Sequence, residues 1–215
     1  MDAFLFDLDG LLVDSEPLHY EAFCTTCAKF GFNVPWDFKT YCEKAHTQSM
    51  GLKTATLELF PEAEKVWQEL YHTVKSKFSS LVEVKPLKLM PGVETFINHL
   101  KAHHKKMAVV TNSSCSMVLA ICQKQPFLWN IPIWITREDY HNAKPSPDGY
   151  LKALNVLNIK PEKAAGFEDS PRGLTALKNA KVHPFFISSY NLDHKEQFTS
   201  FDQLMKHSVF NQLIK

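Results

Sequence analysis

Asp7 and Asp9 stand two residues apart directly behind the apolar run Ala3–Phe6, and Asp14 follows in FDLDGLLVDSEP. An apolar run that feeds into like charges is costly, because neighbouring carboxylates disfavour each other's ionisation. A bound cation or a catalytic role compensates that cost. Later apolar runs end in the same way. Residues 107–110 lead into Thr111, Asn112 and Ser113; residues 131–135 precede Lys144 in AKPSPDGY; residues 164–167 lead into Glu168 and Asp169. Carboxylates, hydroxyls, backbone amides and one lysine together suit a phosphate and a hard divalent cation. Mg²⁺ takes one or two carboxylates with water and a phosphate oxygen. Lys144 adds a compact positive charge for phosphate. Thr111 and the amides after it can donate to phosphoryl oxygens. An aspartate in such a set can act as a nucleophile and form an aspartyl phosphate. A second, two residues on, can act as general acid and then base. The chain has no Walker loop and no GxGxxG, so a nucleotide cradle is not indicated.

These residues meet only if the runs preceding them are parallel strands. The runs at 3–6, 107–110, 131–135, 164–167 and 185–187 are short and continuously apolar, as strands buried on both faces are. Helical patterns over 93–103, 116–123, 147–157 and Pro171–Asn179 lie between them. The alternation predicts an α/β fold with a parallel sheet and helices on both faces. Ligands bind there beyond the carboxyl ends of the strands. The alternation breaks at about 17–81, where only helical patterns such as LHYEAFCTTCAKF and EAEKVWQELYHTVKSKF occur. The expected organisation is therefore a core of residues 1–16 and 82–215 with a helical domain, 17–81, inserted after the first strand. Pro86 and Pro91 punctuate the return.

The bulk properties exclude several classes. A formal net charge of +1 gives no electrostatic footprint for nucleic acid or a membrane surface. The apolar runs are too short to span a bilayer. No signal-type stretch opens the chain, so no cleavage is expected. The 5 cysteines form no disulfide framework, which fits a reducing, cytoplasmic setting. Cys24 and Cys27 form a CxxC on a helical pattern and read as two buried thiols.

FDLDG at 6–10 resembles the DxD signature of the haloacid dehalogenase (HAD) superfamily. The continuation LLVDSEPLH is similar to the branch containing β-phosphoglucomutase and many sugar-phosphate phosphatases. TNSS at 111–114, KPSPDGY at 144–150 and GFEDSPRG at 166–173 match that branch's later motifs in order. The resemblance implies a Rossmann-like HAD core with an α-helical cap. It implies Asp7 as the nucleophile, and Asp9 as general acid/base with its backbone carbonyl on Mg²⁺. Thr111 and Asn112 bind the phosphoryl group, and Lys144 bridges it to the nucleophile. Asp169 ligates the metal, with Glu168 as ligand or close support. His19 matches a histidine linked to gating of the site. The helical insert becomes a mobile cap that excludes water on closing.

The expected activity is a Mg²⁺-dependent phosphatase of small phosphorylated metabolites, acting as a monomer without nucleic-acid or membrane partners. A β-phosphoglucomutase-like phosphotransferase is the alternative, and a non-catalytic phosphometabolite-binding protein is the rival of another class. A dehalogenase is disfavoured by Asp9 and the Glu168–Asp169 pair. The mutase carries a cap arginine where KAHTQSM has Gln48 or a neighbour, and glutamine lacks a charged fork. Lys53 or Lys75 is the expected substitute charge. Asp14 and Ser15 are expected to cap the first inserted helix and Ser170 the helix from Pro171. Histidines other than His19 are expected at the surface.

Overall fold

The computed structural model describes residues 1–47, 51–189 and 197–214. The apolar runs become strands β1 (Ala3–Phe6), β2 (Lys106–Val110), β3 (Ile133–Ile135), β4 (Ala164–Glu168) and β5 (His183–Ile187). A two-residue strand, β6 (Gln197–Phe198), completes a parallel sheet of order β3-β2-β1-β4-β5-β6. β3 starts two residues later than its apolar run. Pro132 precedes it, and Ile131 instead closes a 3₁₀ turn over Pro126–Asn130 while staying buried.

Side chains alternate between the faces of β1. Phe4 and Phe6 point to one side, where Phe6 stacks on Phe167 of β4 at 5.2 Å between ring centroids. Helices α5 (Val93–Ala102), α9 (Phe201–Lys206) and α10 (Ser208–Ile214) cover this side. Phe96 of α5 lies 4.8 Å from Phe201 and 5.6 Å from Phe210. Each such ring pair adds about 0.5–1.5 kcal/mol beyond area burial. Ala3 and Leu5 face the other side, under Tyr150 of α7 (Asp148–Leu157) and Leu177 of α8 (Pro171–Asn179). Gly166 of β4 lets α8 approach, since a Cβ there would lie 2.1 Å from Leu177 Cδ2.

Between β1 and β2, the described residues contain α1 (Glu16–Lys29), α2 (Phe38–Thr47), α3 (Gly51–Leu59), α4 (Trp67–Val84) and then α5, and no strand of the sheet. α2, β6 and the C-terminal pair α9 and α10 had no counterpart among the expected elements. α1 and α4 pack together, with His19 stacked on Phe78 at 3.6 Å. The two chain segments that join these helices to the core run beside each other. The Asp14 amide donates to Lys88 O (2.9 Å), and the Met90 amide donates to Leu12 O (3.0 Å). The α-helix between β2 and β3 is α6 (Cys115–Lys124).

Candidate active site

The parallel register fixes where the chemistry converges. Phe6 lies opposite Val109 of β2 and Phe167 of β4. Asp7 therefore leaves the sheet between Val110–Thr111 on one side and Glu168–Asp169 on the other. Its amide still donates to Phe167 O (3.0 Å), so the backbone at Asp7 is held.

Lys144 enters from the loop before α7 and is itself buried. Its ammonium bonds the Asp7 carboxylate at Oδ1, lies 2.6 Å from Glu168 Oε1 and donates to Val110 O at 2.8 Å. Burial alone would lower the lysine's proton affinity, but Asp7 and Glu168 outweigh it and hold the ammonium charged. Tyr150, fully buried on α7, donates its hydroxyl to Glu168 Oε1. Burial raises Asp7 above the usual carboxylate range; Lys144 opposes that shift and Glu168 adds to it. Asp169 is raised for the same first reason, with His46 opposing and Asp7 and Glu168 adding.

Asp9 shows the opposite behaviour. Burial would raise it, but the donors around it hold it below its ordinary value. His19 Nε2 lies 3.8 Å from Oδ1, Ser113 Oγ donates to Oδ2 at 2.6 Å, and Ser15 Oγ donates to Oδ1 at 3.0 Å. Ser15 occupies the N-cap position of α1 but makes no side-chain cap bond, so the expected capping role is replaced by this contact. The expected cap at Ser170 is present: its Oγ accepts from the Gly173 amide at 3.2 Å.

Thr111 and Asn112 sit at the end of β2. Thr111 Oγ1 accepts from the Ser113 amide (2.9 Å). Asn112 Oδ1 accepts from the Tyr140 hydroxyl (2.8 Å) and the Lys144 amide (3.2 Å), so it ties this strand end to the lysine loop. Gly10 closes the turn after β1 at φ +75°, a conformation glycine adopts without penalty. A Cβ there would lie 2.2 Å from Asp169 Oδ2.

One oxygen each of Asp7, Glu168 and Asp169 lies within 4.8 Å of the others. Glu168 Oε2 and Asp169 Oδ2 are buried and accept no hydrogen bond from any described residue. Buried, unsatisfied carboxylate oxygens are expensive. An all-oxygen, anionic donor set of this kind fits a hard cation such as Mg²⁺.

Sequence reasoning missed several participants. His46 was expected at the surface but is 3% exposed on α2, with Nε2 3.4 Å from Glu16 Oε2 and Nδ1 3.8 Å from Asp169 Oδ2. Burial disfavours its charge, yet Glu16 foremost and Asp169 raise it to about 9. The only local hint was its position four residues after Cys42, on the same helical face. Glu16, Tyr140 and Tyr150 carried no signal beyond lying in or near the quoted motifs. Gln48 lies outside the described residues. Lys53, expected as a free cap charge, pairs with Glu64 at 2.9 Å, and Lys75 lies over the Tyr71 ring at 4.6 Å.

The family model of haloacid dehalogenase-like hydrolases matches residues 4–187, from the second residue of β1 to the end of β5.

The chain belongs to the haloacid dehalogenase-like hydrolase family.

Within this hydrolase family, the chain is 29% identical over 201 residues to the phosphorylated carbohydrates phosphatase of Thermotoga maritima, covering 90% of this chain and 88% of the relative. It is 25% identical over 187 residues to the β-phosphoglucomutase of Bacillus subtilis, covering 84% and 80%. Among solved structures, CbbY from Rhodobacter sphaeroides in complex with phosphate superposes with a TM-score of 0.74 at 28% identity, covering 95% of this chain and 96% of that one. Among the described residues of this hydrolase, no helix is long and apolar enough to cross a membrane.

Proposed function

We propose that this hydrolase is a phosphatase of small, sugar-like phosphorylated metabolites that works through an aspartyl phosphate on Asp7. The observation that carries the reading is the buried cluster in which Lys144 bonds Asp7 while Asp9, two residues on, is held ionised by Ser15, Ser113 and His19. The names of the relatives, several of them phosphatases of small phosphorylated compounds, support the substrate class.

The Asp7 carboxylate attacks phosphorus, and the bond from phosphorus to the ester oxygen breaks. Asp9 gives its proton to that leaving oxygen. A water then attacks the phosphoaspartate, Asp9 takes the water's proton, and inorganic phosphate leaves with Asp7 regenerated. Lys144 and Thr111 stabilise charge on the phosphoryl oxygens, and Asn112 positions the lysine loop. Asp7, Glu168, Asp169 and the Asp9 carbonyl would hold Mg²⁺, which neutralises carboxylate and phosphoryl charge when bound. The contacts that depress Asp9 must loosen before it can carry a proton, because removing donors from a carboxylate raises its proton affinity. His19 lies in the first turn of α1 and Ser15 at its N-cap, so movement of α1 relieves Asp9 of these two contacts while Ser113 Oγ stays on Oδ2. The segment 17–81 serves as a cap that sheds water from the site.

The test is phosphate release from a panel of phosphorylated metabolites, with Mg²⁺ and with chelator. Metal-dependent release is expected. Asp7→Asn should lose it by at least about 10⁴-fold, the scale seen when a covalent nucleophile is removed. Release that survives Asp7→Asn would refute the mechanism. The phosphotransferase alternative predicts isomerisation of β-glucose 1-phosphate in place of phosphate release.

A further inference from the structure

Outside the Asp7 cluster, Glu16, Cys42 and His46 bring a carboxylate oxygen, a thiol sulfur and an imidazole nitrogen within 4.8 Å of one another, all three buried. We propose that these three residues form a second metal site, selective for a borderline-soft divalent cation of the Zn²⁺ type.

The donor types point to that class. Thiolate and imidazole select Zn²⁺ or Co²⁺ over Mg²⁺, which prefers oxygen alone. The backbone supplies the spacing, because Cys42 and His46 lie one turn apart on α2 and share a face. Glu16 comes from the first turn of α1. The distances are close to those needed. A tetrahedral zinc with ordinary bonds to nitrogen and oxygen separates those two atoms by about 3.4 Å. His46 Nε2 and Glu16 Oε2 are 3.4 Å apart. The sulfur needs about 3.6 Å to each partner, so Cys42 closes by about 1.2 Å at most from the 4.8 Å that bounds the three donor atoms.

A second feature agrees. Ligating histidines usually turn their other ring nitrogen to a carboxylate, which fixes the ring. With Nε2 on the metal, His46 Nδ1 faces Asp169 Oδ2 at 3.8 Å. Charge also balances: a glutamate, a cysteine thiolate and a divalent cation sum to zero, which suits a buried site. On binding, the Cys42 thiol proton, and any proton on Nε2, leave to solvent as the bonds to metal form. A water fills the fourth position. The ion would tie α2 to the start of α1 beside Asp169, and so to the Asp7 cluster.

Co²⁺ is the probe. Metal-stripped wild-type protein is titrated with Co²⁺ and followed by absorption. The expected result is a thiolate-to-cobalt charge-transfer band that saturates at one equivalent, persists in excess Mg²⁺ and is bleached by one equivalent of Zn²⁺. The band should persist in Asp7→Asn, which removes a donor from the other cluster. It should also persist in Cys24→Ser/Cys27→Ser. Cys42→Ser should abolish it, and His46→Gln should weaken Co²⁺ binding by more than about 100-fold, beyond the usual loss of a supporting residue. X-ray absorption on the Zn²⁺-loaded wild type needs no variant and should show a single sulfur at about 2.3 Å. No band in the wild type, a band that survives Cys42→Ser, or a zinc shell without sulfur would each overturn the proposal.

Discussion

Lys144→Met removes the ammonium and keeps a stem of similar length. In the wild type that ammonium sits among Asp7 Oδ1, Glu168 Oε1 and Val110 O, with almost no exposure. Two effects compete. The variant no longer has to desolvate an ammonium, but Asp7 and Glu168 remain buried beside Asp169 with their counter-charge gone. Removing one partner of a buried pair costs about 3–5 kcal/mol, because the other charge is left uncompensated. The second effect therefore wins. For a chain of this size each kcal/mol shifts Tm by about 2–4 °C, so a fall of about 6–20 °C is expected in chelator. Mg²⁺ supplies replacement charge to the same carboxylates. At a hundred times its Kd, a ligand of the folded state adds about 2.7 kcal/mol. Its gain should be larger in the variant than in the wild type, because the ammonium no longer competes for Asp7. The assay is thermal unfolding by circular dichroism of both proteins, with Mg²⁺ and with chelator. A Lys144→Met protein that melts within about 2 °C of wild type in chelator would refute the reasoning, since that corresponds to about 1 kcal/mol or less.

Other consequences follow from the same geometry. Gly10→Ala places a Cβ 2.2 Å from Asp169 Oδ2 at a positive φ, and it should cost at least about 1–2 kcal/mol for the backbone alone. Because it also displaces a metal donor, Mg²⁺ affinity by calorimetry should fall; unchanged affinity would dissociate Gly10 from the metal cluster. Gly166→Ala inserts a methyl against Leu177 Cδ2 and should destabilise by about 1–3 kcal/mol in urea unfolding. Gly166 shares the α8-covered face of β4 with Glu168, so a shift of α8 should also lower activity per folded molecule. Ser113→Ala removes the 2.6 Å donor to Asp9 and should lower stability by about 1.5–3 kcal/mol, as for a hydrogen bond to a charged group. A change below the error of denaturant titration would show that Asp9 does not rely on it. Tyr150→Phe removes the donor to Glu168 without a cavity and should cost a similar amount, about 1.5–3 kcal/mol, by the same measurement.

The amino-acid sequence by itself determined five of the six strands, β1 to β5, and their parallel pairing, and it placed the candidate chemical groups at their ends. Runs such as Ala3–Phe6 are apolar without alternation because both faces are covered, and that pattern is local. Asp7, Thr111, Lys144 and Asp169 were legible because each follows directly on such a run or sits in a compact motif. The helical stretch after β1 was legible as a break in the alternation, although α2 was not, since FKTYCEKAHT is short and predominantly polar. α9 and α10 are short helices of 6 and 7 residues, held by Phe201 and Phe210 docking on Phe96. Tertiary structure alone decided which side chains answer one another. Ser15 caps nothing and serves Asp9, Asn112 Oδ1 is taken by Tyr140 and the Lys144 amide, and His46 is buried between Glu16 and Asp169. Each of these contacts joins residues from different elements. Side-chain direction and the approach of one element to another set them, and no local pattern encodes either.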